Sequence, residues 1–291
     1  MSLLKDAFEK KEFGITAEMA PPKGTNFSHL IECARGVKGR VHAVNVTDFQ
    51  AASMKATSLA TCKILKDQGL EPVLQITGRD RNRIAIEGEF LSAGVFGIQN
   101  VLALTGDYTI LGDHPGAKPV YDLDSVEILE VADTLTKGTD MMGNKLNGSP
   151  EFYLGACVSP KYEPLELQII KMEKKIKAGA KFFQTQAVFD IDTLRQFRDK
   201  TKHLNTNVMV GIIPLKSAGM AKYMNKNVAG VYVPDEIIER MKKTDNKVQE
   251  GINIAAEFIK QIKEEGLCEG VHIMAIGAEE NVPVILDKAG L

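Results

Sequence analysis

Glu18 is the residue of this sequence best suited to chemistry. It lies in an apolar run, Gly14-Ile15-Thr16-Ala17-Glu18-Met19-Ala20, and in an extended strand it shares a face with Thr16 and Ala20. A carboxylate among apolar residues is costly unless paired or protonated. Desolvation raises a carboxyl pKa, the property a general acid needs near neutral pH. Arg79, Arg81 and Arg83 offer the competing reading, a structural ion pair with Glu18. Asp107 closes a second apolar run, Val101-Leu102-Ala103-Leu104, and follows Gly106, where the missing side chain lets a ligand approach the backbone. An aspartate there also commonly braces a turn. Gln184 and Gln186 stand two apart and project to one strand face. An amide that both donates and accepts suits a heterocycle edge, or else bonds to neighbouring backbone. Lys171, Lys174, Lys175 and Lys177 crowd one stretch, either as phosphate-binding charges or as a solvated helix face.

Other chemistries find less support. Cys33, Cys62, Cys157 and Cys268 contain no C-x-x-C pair, and they read as small reduced thiols rather than a zinc or disulfide framework. His29, His42, His114, His203 and His272 show no H-x-x-x-H or H-E-x-x-H spacing. G-x-S-x-G, Walker and G-x-G-x-x-G motifs are absent. Asp113, Asp122 and Asp124 offer a weakly supported acidic metal pocket.

The elements that would position these residues alternate. Short β-rich runs cover 14–20, 42–48, 71–77, 98–106, 152–159, 182–190, 208–214 and 270–277. Helical spacing lies between them, for example over 53–66, 125–136, 163–178 and 245–264. In the last of these, Val248, Ile252, Ala255, Ile259 and Ile262 form one apolar face. Eight strand–helix units in 291 residues predict a single (β/α)8 TIM barrel over 1–291, with an open doubly wound sheet as the rival. The candidates then fall at strand C-termini, the catalytic face of such barrels. The stretch 105–124 is too long for a simple turn and leaves that same face.

Composition narrows the classes. Apolar residues make up 44% and charged residues 25%, values of an ordinary globular chain rather than a disordered or fibrous one. A net charge of −2 argues against a nucleic-acid or membrane-surface binder. No apolar run is long enough to span a bilayer. The N-terminal MSLLKD lacks the layout of a secretory signal, so the expected location is cytoplasmic.

Seven pieces, in order, resemble the methylenetetrahydrofolate reductase family: AEMAPPK (17–23), NVTD (45–48), LQITGRDRNR (74–83), ALTGD (103–107), KAGAKFFQTQAVFD (177–190), GIIPLKSA (211–218) and VHIMAIG (271–277). They are most similar to the short bacterial catalytic domain of acetogens and other one-carbon metabolisers. The resemblance implies a flavoprotein barrel, holding FAD or FMN, that reduces 5,10-methylenetetrahydrofolate to the 5-methyl form by hydride transfer. Carried over by position, Glu18 resembles the general acid and Asp107 the aspartate between flavin and folate. Gln186 resembles a pterin-binding residue. Thr47, Gln75, Gly106, Asp107, Lys171, Lys174 and Lys175 match positions that hold the flavin and its phosphates. The implied electron donor is NAD(P)H or a partner redox subunit, and the implied assembly is a homo- or hetero-oligomer. The sequence departs from the family pattern at Cys157, where many members carry a nearby Tyr, and at Thr105 and 278–279, where many carry Arg. Two rival readings keep the barrel: a flavin-free, pterin-binding methyl transferase, and a docking subunit of a one-carbon complex that uses 105–124 as its interface.

Overall fold

A computed structural model describes residues 2–291. Eight strands close into one parallel barrel in sequence order: β1 (Gly14–Met19), β2 (Ala43–Val46), β3 (Pro72–Thr77), β4 (Asn100–Leu104), β5 (Tyr153–Val158), β6 (Phe182–Ala187), β7 (Asn207–Ile212) and β8 (Gly270–Ile273). The ring shuts between β8 and β1, where Thr16 pairs with His272 and Ala17 with Ile273. The (β/α)8 expectation holds, and the open sheet is excluded.

Helical boundaries follow local chemistry. The helix Ser125–Thr136 begins with a capping box, in which the Asp124 side chain accepts from the Glu127 backbone and Glu127 reaches back to Asp124 N. The helix expected over 53–66 starts later, at Ser58, with Thr57 as its cap. The reason is a left-handed run after β2. Phe49, Ala51 and Ala52 have φ of 45°, 52° and 53°, which turns that segment into a short 3-10 element, Gln50–Ala52, instead of the first turn of an α-helix. Three helices, Ala218–Asn227, Asp235–Lys243 and Lys247–Glu264, lie between β7 and β8.

Strand periodicity divides the side chains into two sets. Outward residues such as Val44, Leu74, Val101 and Phe183 join the main core beneath the helices. Inward residues fill the barrel in tiers. The lowest tier is apolar: Leu4 and Phe8 of the N-terminal helix Leu3–Glu9 pack with Ala43, Val73, Leu102, Tyr153, Phe182 and Met209. The Tyr153 and Phe182 rings stack there at 5.2 Å. Above it lies a buried polar tier. Asn45 and Gln184 exchange amide hydrogen bonds of 2.7 and 3.1 Å. Gln184 also donates to Thr16 Oγ1 at 3.2 Å, and Thr16 bonds His272 Nδ1 at 2.9 Å. Each of these four side chains is almost fully buried, so each needs its partner.

One clasp joins the upper ends of β2 and β3. The buried Asp48 carboxylate accepts from Thr77 N and Thr77 Oγ1 at 2.9 Å each, and it is gripped by both Arg81 nitrogens at 2.7 and 3.1 Å. Removing the carboxylate would strand a guanidinium that is only 11% exposed. Asp48→Ala is expected to lower the unfolding free energy by about 3–5 kcal/mol. Urea denaturation measures this, and an unchanged midpoint would refute the clasp.

Candidate active site

The upper ends of the strands enclose a cavity of about 330 Å³. Glu18, Gln75, Gly106, Asp107 and Gln186 all line it, together with Gln184 and His272 of the polar tier. Among the described residues no helix is long and apolar enough to cross a membrane.

Glu18 rises from β1 directly above that tier. Its side chain is 9% exposed, and His272 Nε2 lies 3.7 Å from Oε2. Gln50 Nε2 donates to Oε1 at 3.1 Å. The ion-pair reading fails because each arginine is committed elsewhere. Arg79 pairs with Asp80, Arg81 with Asp48 and Glu89, and Arg83 with Asp122. Glu18 therefore faces the cavity with only neutral amide support and a nearby imidazole, a setting in which a carboxyl group can exchange a proton with a bound molecule.

Asp107 stands at the mouth and is exposed. Its backbone carbonyl does the bracing, accepting from Arg79 Nη1 at 3.2 Å and from the Tyr121 hydroxyl at 2.9 Å. Its carboxylate makes no hydrogen bond or ion pair among the described residues, which leaves the charge free to act on whatever enters. Gly106 beside it has φ of 97°, and a Cβ there would sit 2.9 Å from Arg79 Cβ and 3.3 Å from Thr77 Cβ. Glycine is thus required both by conformation and by close approach. Gln186 projects into the cavity from a register irregularity between β6 and β7, the kind of local bulge that re-aims a side chain. Gln184, its neighbour on the same face, is consumed in the buried tier.

Thr47 follows β2 and is 1% exposed. Its hydroxyl is the sole buried side-chain polar atom without a hydrogen-bond partner among the described residues. Such an atom costs free energy unless a bound group satisfies it. The lysines lie apart from the cavity. Lys171 and Lys174 are exposed on the outside of the helix Leu165–Lys177, and Lys175 donates to Cys157 O at 2.8 Å. Burial pulls the Lys175 ammonium below its usual pKa. The amphipathic helix turns its apolar stripe to the core, so most of its charges are carried outward.

The connection 105–124 is folded down over the mouth. Tyr121 N and Val120 N donate to Gly78 O and Arg79 O, and Asp122 grips Arg83 through both nitrogens at 2.9 Å. The guanidinium holds the Asp122 carboxyl down at about 2. Asp113 pairs with Lys23 and accepts from Met54 N. Asp124 caps its helix. The acidic metal pocket considered for Asp113, Asp122 and Asp124 is therefore not formed, because each carboxylate already has its own donor.

Sequence reasoning passed over Gln50 and His272. His272 carried a signal, a polar residue at an inward strand position, whereas Gln50 arrives from an irregular loop. Cys157 also lines the cavity, and all four cysteines are free thiols. Burial pushes the Cys157 thiol up to about 11, against the opposing charge of Lys175 and with the Glu18 carboxylate adding to the rise. At pH 8 the thiolate fraction is expected to be about 100-fold below that of a free cysteine. Iodoacetamide labelling of Cys157, followed by peptide mass spectrometry, should be correspondingly slow and should accelerate up to pH 10. Labelling at pH 8 as fast as a free thiol would show that the cavity does not protect it.

Comparison with known proteins follows the same line. The methylenetetrahydrofolate reductase family model matches residues 3–290. Methylenetetrahydrofolate reductase 2 of Schizosaccharomyces pombe is 25% identical over 260 residues, covering 85% of this chain and 40% of that protein. The 5,10-methylenetetrahydrofolate reductase of Salmonella typhimurium is 26% identical, over 77% of this chain and 72% of that protein. This chain thus spans less than half the length of the fission-yeast relative. Among solved structures, an uncharacterized protein from Clostridium thermocellum, described as binding two copies of 5-methyl-5,6,7,8-tetrahydrofolic acid, superposes with a TM-score of 0.63 at 18% identity. That match covers 99% of this chain and 96% of the other, and it supports the fold.

Proposed function

The chain belongs to the methylenetetrahydrofolate reductase family, and on that premise we propose that it reduces 5,10-methylenetetrahydrofolate to 5-methyltetrahydrofolate in a flavin-dependent reaction, with Glu18 as the general acid. The observation that carries the reading is the state of Glu18: a nearly buried carboxyl group, turned into the cavity, which three nearby arginines leave unpaired.

The residues present fit a flavin. Thr47 offers a buried hydroxyl in need of a partner, and Gln75 offers an amide on the cavity wall. Gly106, on the same wall, lets the strand end pack against Arg79 and Thr77 and leaves its backbone at the cavity surface. Lys171, Lys174 and Lys175 lie outside the cavity, so the groups that would hold the flavin, FAD or FMN, are those of the cavity wall. A bound flavin supplies the hydride chemistry, recharged by NAD(P)H or by a partner redox subunit.

The chain's own contributions follow from charge. Glu18, when protonated, delivers its proton to the bridging nitrogen of the substrate that lies away from the pterin, and the five-membered ring opens to an iminium cation. Gln50 holds the Glu18 carboxyl by its hydrogen bond, and the imidazole of His272, fixed by Thr16, lies 3.7 Å from it. The free carboxylate of Asp107 stabilises the positive charge as it develops, in a partly enclosed site where such an interaction is stronger than in water. Gln186 donates to and accepts from the pterin edge.

The purified protein is expected to be yellow, with a visible spectrum that bleaches on chemical reduction and recovers when methylenetetrahydrofolate is added. Glu18→Gln should keep the colour and slow that recovery by about 10²–10⁴-fold, the usual contribution of a general acid. Wild-type recovery in the variant would refute the role of Glu18. A colourless protein that refuses both FAD and FMN would refute the reductase reading. Folate binding by such a protein would favour the transferase, and no folate binding would favour the docking subunit.

A further inference from the structure

On the rim between β1 and β8, outside the cavity, three side chains of different chemistry converge. His29 and Cys33 stand four apart on the helix Ser28–Val37, which follows β1, and so share one helix face. Glu280 reaches them from the 3-10 turn Glu279–Asn281, which follows β8. One ligand atom from each of the three lies within 4.8 Å of the others. The Cys33 sulfur is 3.7 Å from His29 Nε2 and 3.9 Å from Nδ1. A tetrahedral zinc ion, with Zn–S of ~2.3 Å and Zn–N of ~2.0–2.1 Å, sets its sulfur and nitrogen ligands about 3.6 Å apart. The spacing already present is therefore that of a ligand pair.

The surroundings suit a cation. Cys33 is 7% exposed, while His29 and Glu280 are open to solvent, so an ion could enter from outside and seat against the sulfur. Glu32, Glu279 and Glu280 make the local field negative; with burial the leading cause, they raise the Cys33 thiol above its ordinary pKa. Glu279 is committed to Gly277 N at 2.8 Å, which fixes the turn and presents Glu280.

We propose that His29, Cys33 and Glu280 form a zinc site on the rim of the barrel. One sulfur, one nitrogen and one oxygen ligand select a borderline-soft ion over magnesium or calcium, which prefer oxygen alone. Three protein ligands leave a fourth position to water. On binding, the Cys33 S–H bond breaks, the sulfur–zinc bond forms, and one proton passes to the buffer. The ion would tie the first turn of the helix after β1 to the loop after β8. These two segments flank the pair Glu18 and His272, yet the site does not depend on the flavin reading of the cavity.

The test uses the full chain, stripped with a chelator and then titrated with zinc chloride against a chromophoric competitor. The expected result is one ion bound per chain with release of one proton, and with cobalt(II) a thiolate-to-metal charge-transfer band. His29→Gln and Glu280→Gln alter exposed side chains and should fold normally. Each should lose the stoichiometric binding, and zinc should raise the thermal midpoint of the wild type without moving that of His29→Gln. Absence of stoichiometric binding by the wild type would overturn the proposal, as would wild-type affinity in both variants.

Discussion

Charge pairing around Asp48 governs the upper half of this barrel. The carboxylate has nowhere to find water, so it gathers two donors from Thr77 and a bidentate guanidinium from Arg81. That choice determines the others. Arg79, next along, turns Nε and Nη2 to Asp80, while Nη2 also donates to the carbonyl of Phe49 and Nη1 to that of Asp107, pinning the loops after β2 and β4. Arg83 is left for Asp122, which fastens the long connection from outside. All three arginines are thereby occupied, and none of them pairs with Glu18. A carboxyl group facing the cavity is what remains once the structural charges have satisfied one another.

Beneath it, the buried tier of Thr16, Asn45, Gln184 and His272 has a supporting part. Interior positions of a barrel are usually aliphatic. Here four polar groups satisfy each other across β1, β2, β6 and β8, and a network of this kind is rigid because each member fixes the next. The imidazole near Glu18 is consequently oriented from below by Thr16, and the cavity floor is polar even though the foundation beneath it is mostly apolar.

Much of this was legible in the order of residues. Eight β-rich runs with intervening helical periodicity are enough for a barrel, and strand alternation alone puts Glu18, Gln75 and Gln186 on the inside. What escaped were pairings decided by loops. Nothing in the spacing says that Arg79 will choose its immediate neighbour, or that Gln50, set in the left-handed turn at Phe49 and Ala51, will reach Glu18. The lysines show the opposite failure. Their clustering is plain in the sequence, but the helix that carries them buries its apolar stripe and leaves Lys171 and Lys174 facing away from the cavity. His29 and Cys33 were readable as a helical pair, whereas Glu280 joins them only because β8 closes against β1.

The two ends of the barrel are secured by different forces. The lower end is sealed by Leu4, Phe8 and the stacked rings of Tyr153 and Phe182, whose grip weakens on cooling and does not rest on paired charges. The upper end is held by the buried Asp48 clasp and, at its edge, by exposed pairs, Lys23 with Asp113 and Arg83 with Asp122, which dissolved salt weakens. The molecule thus has a thermal fuse at its base and an ionic latch at its entrance. Salt can loosen the doorway while the foundation holds, so access to the cavity and survival of the fold answer to separate controls.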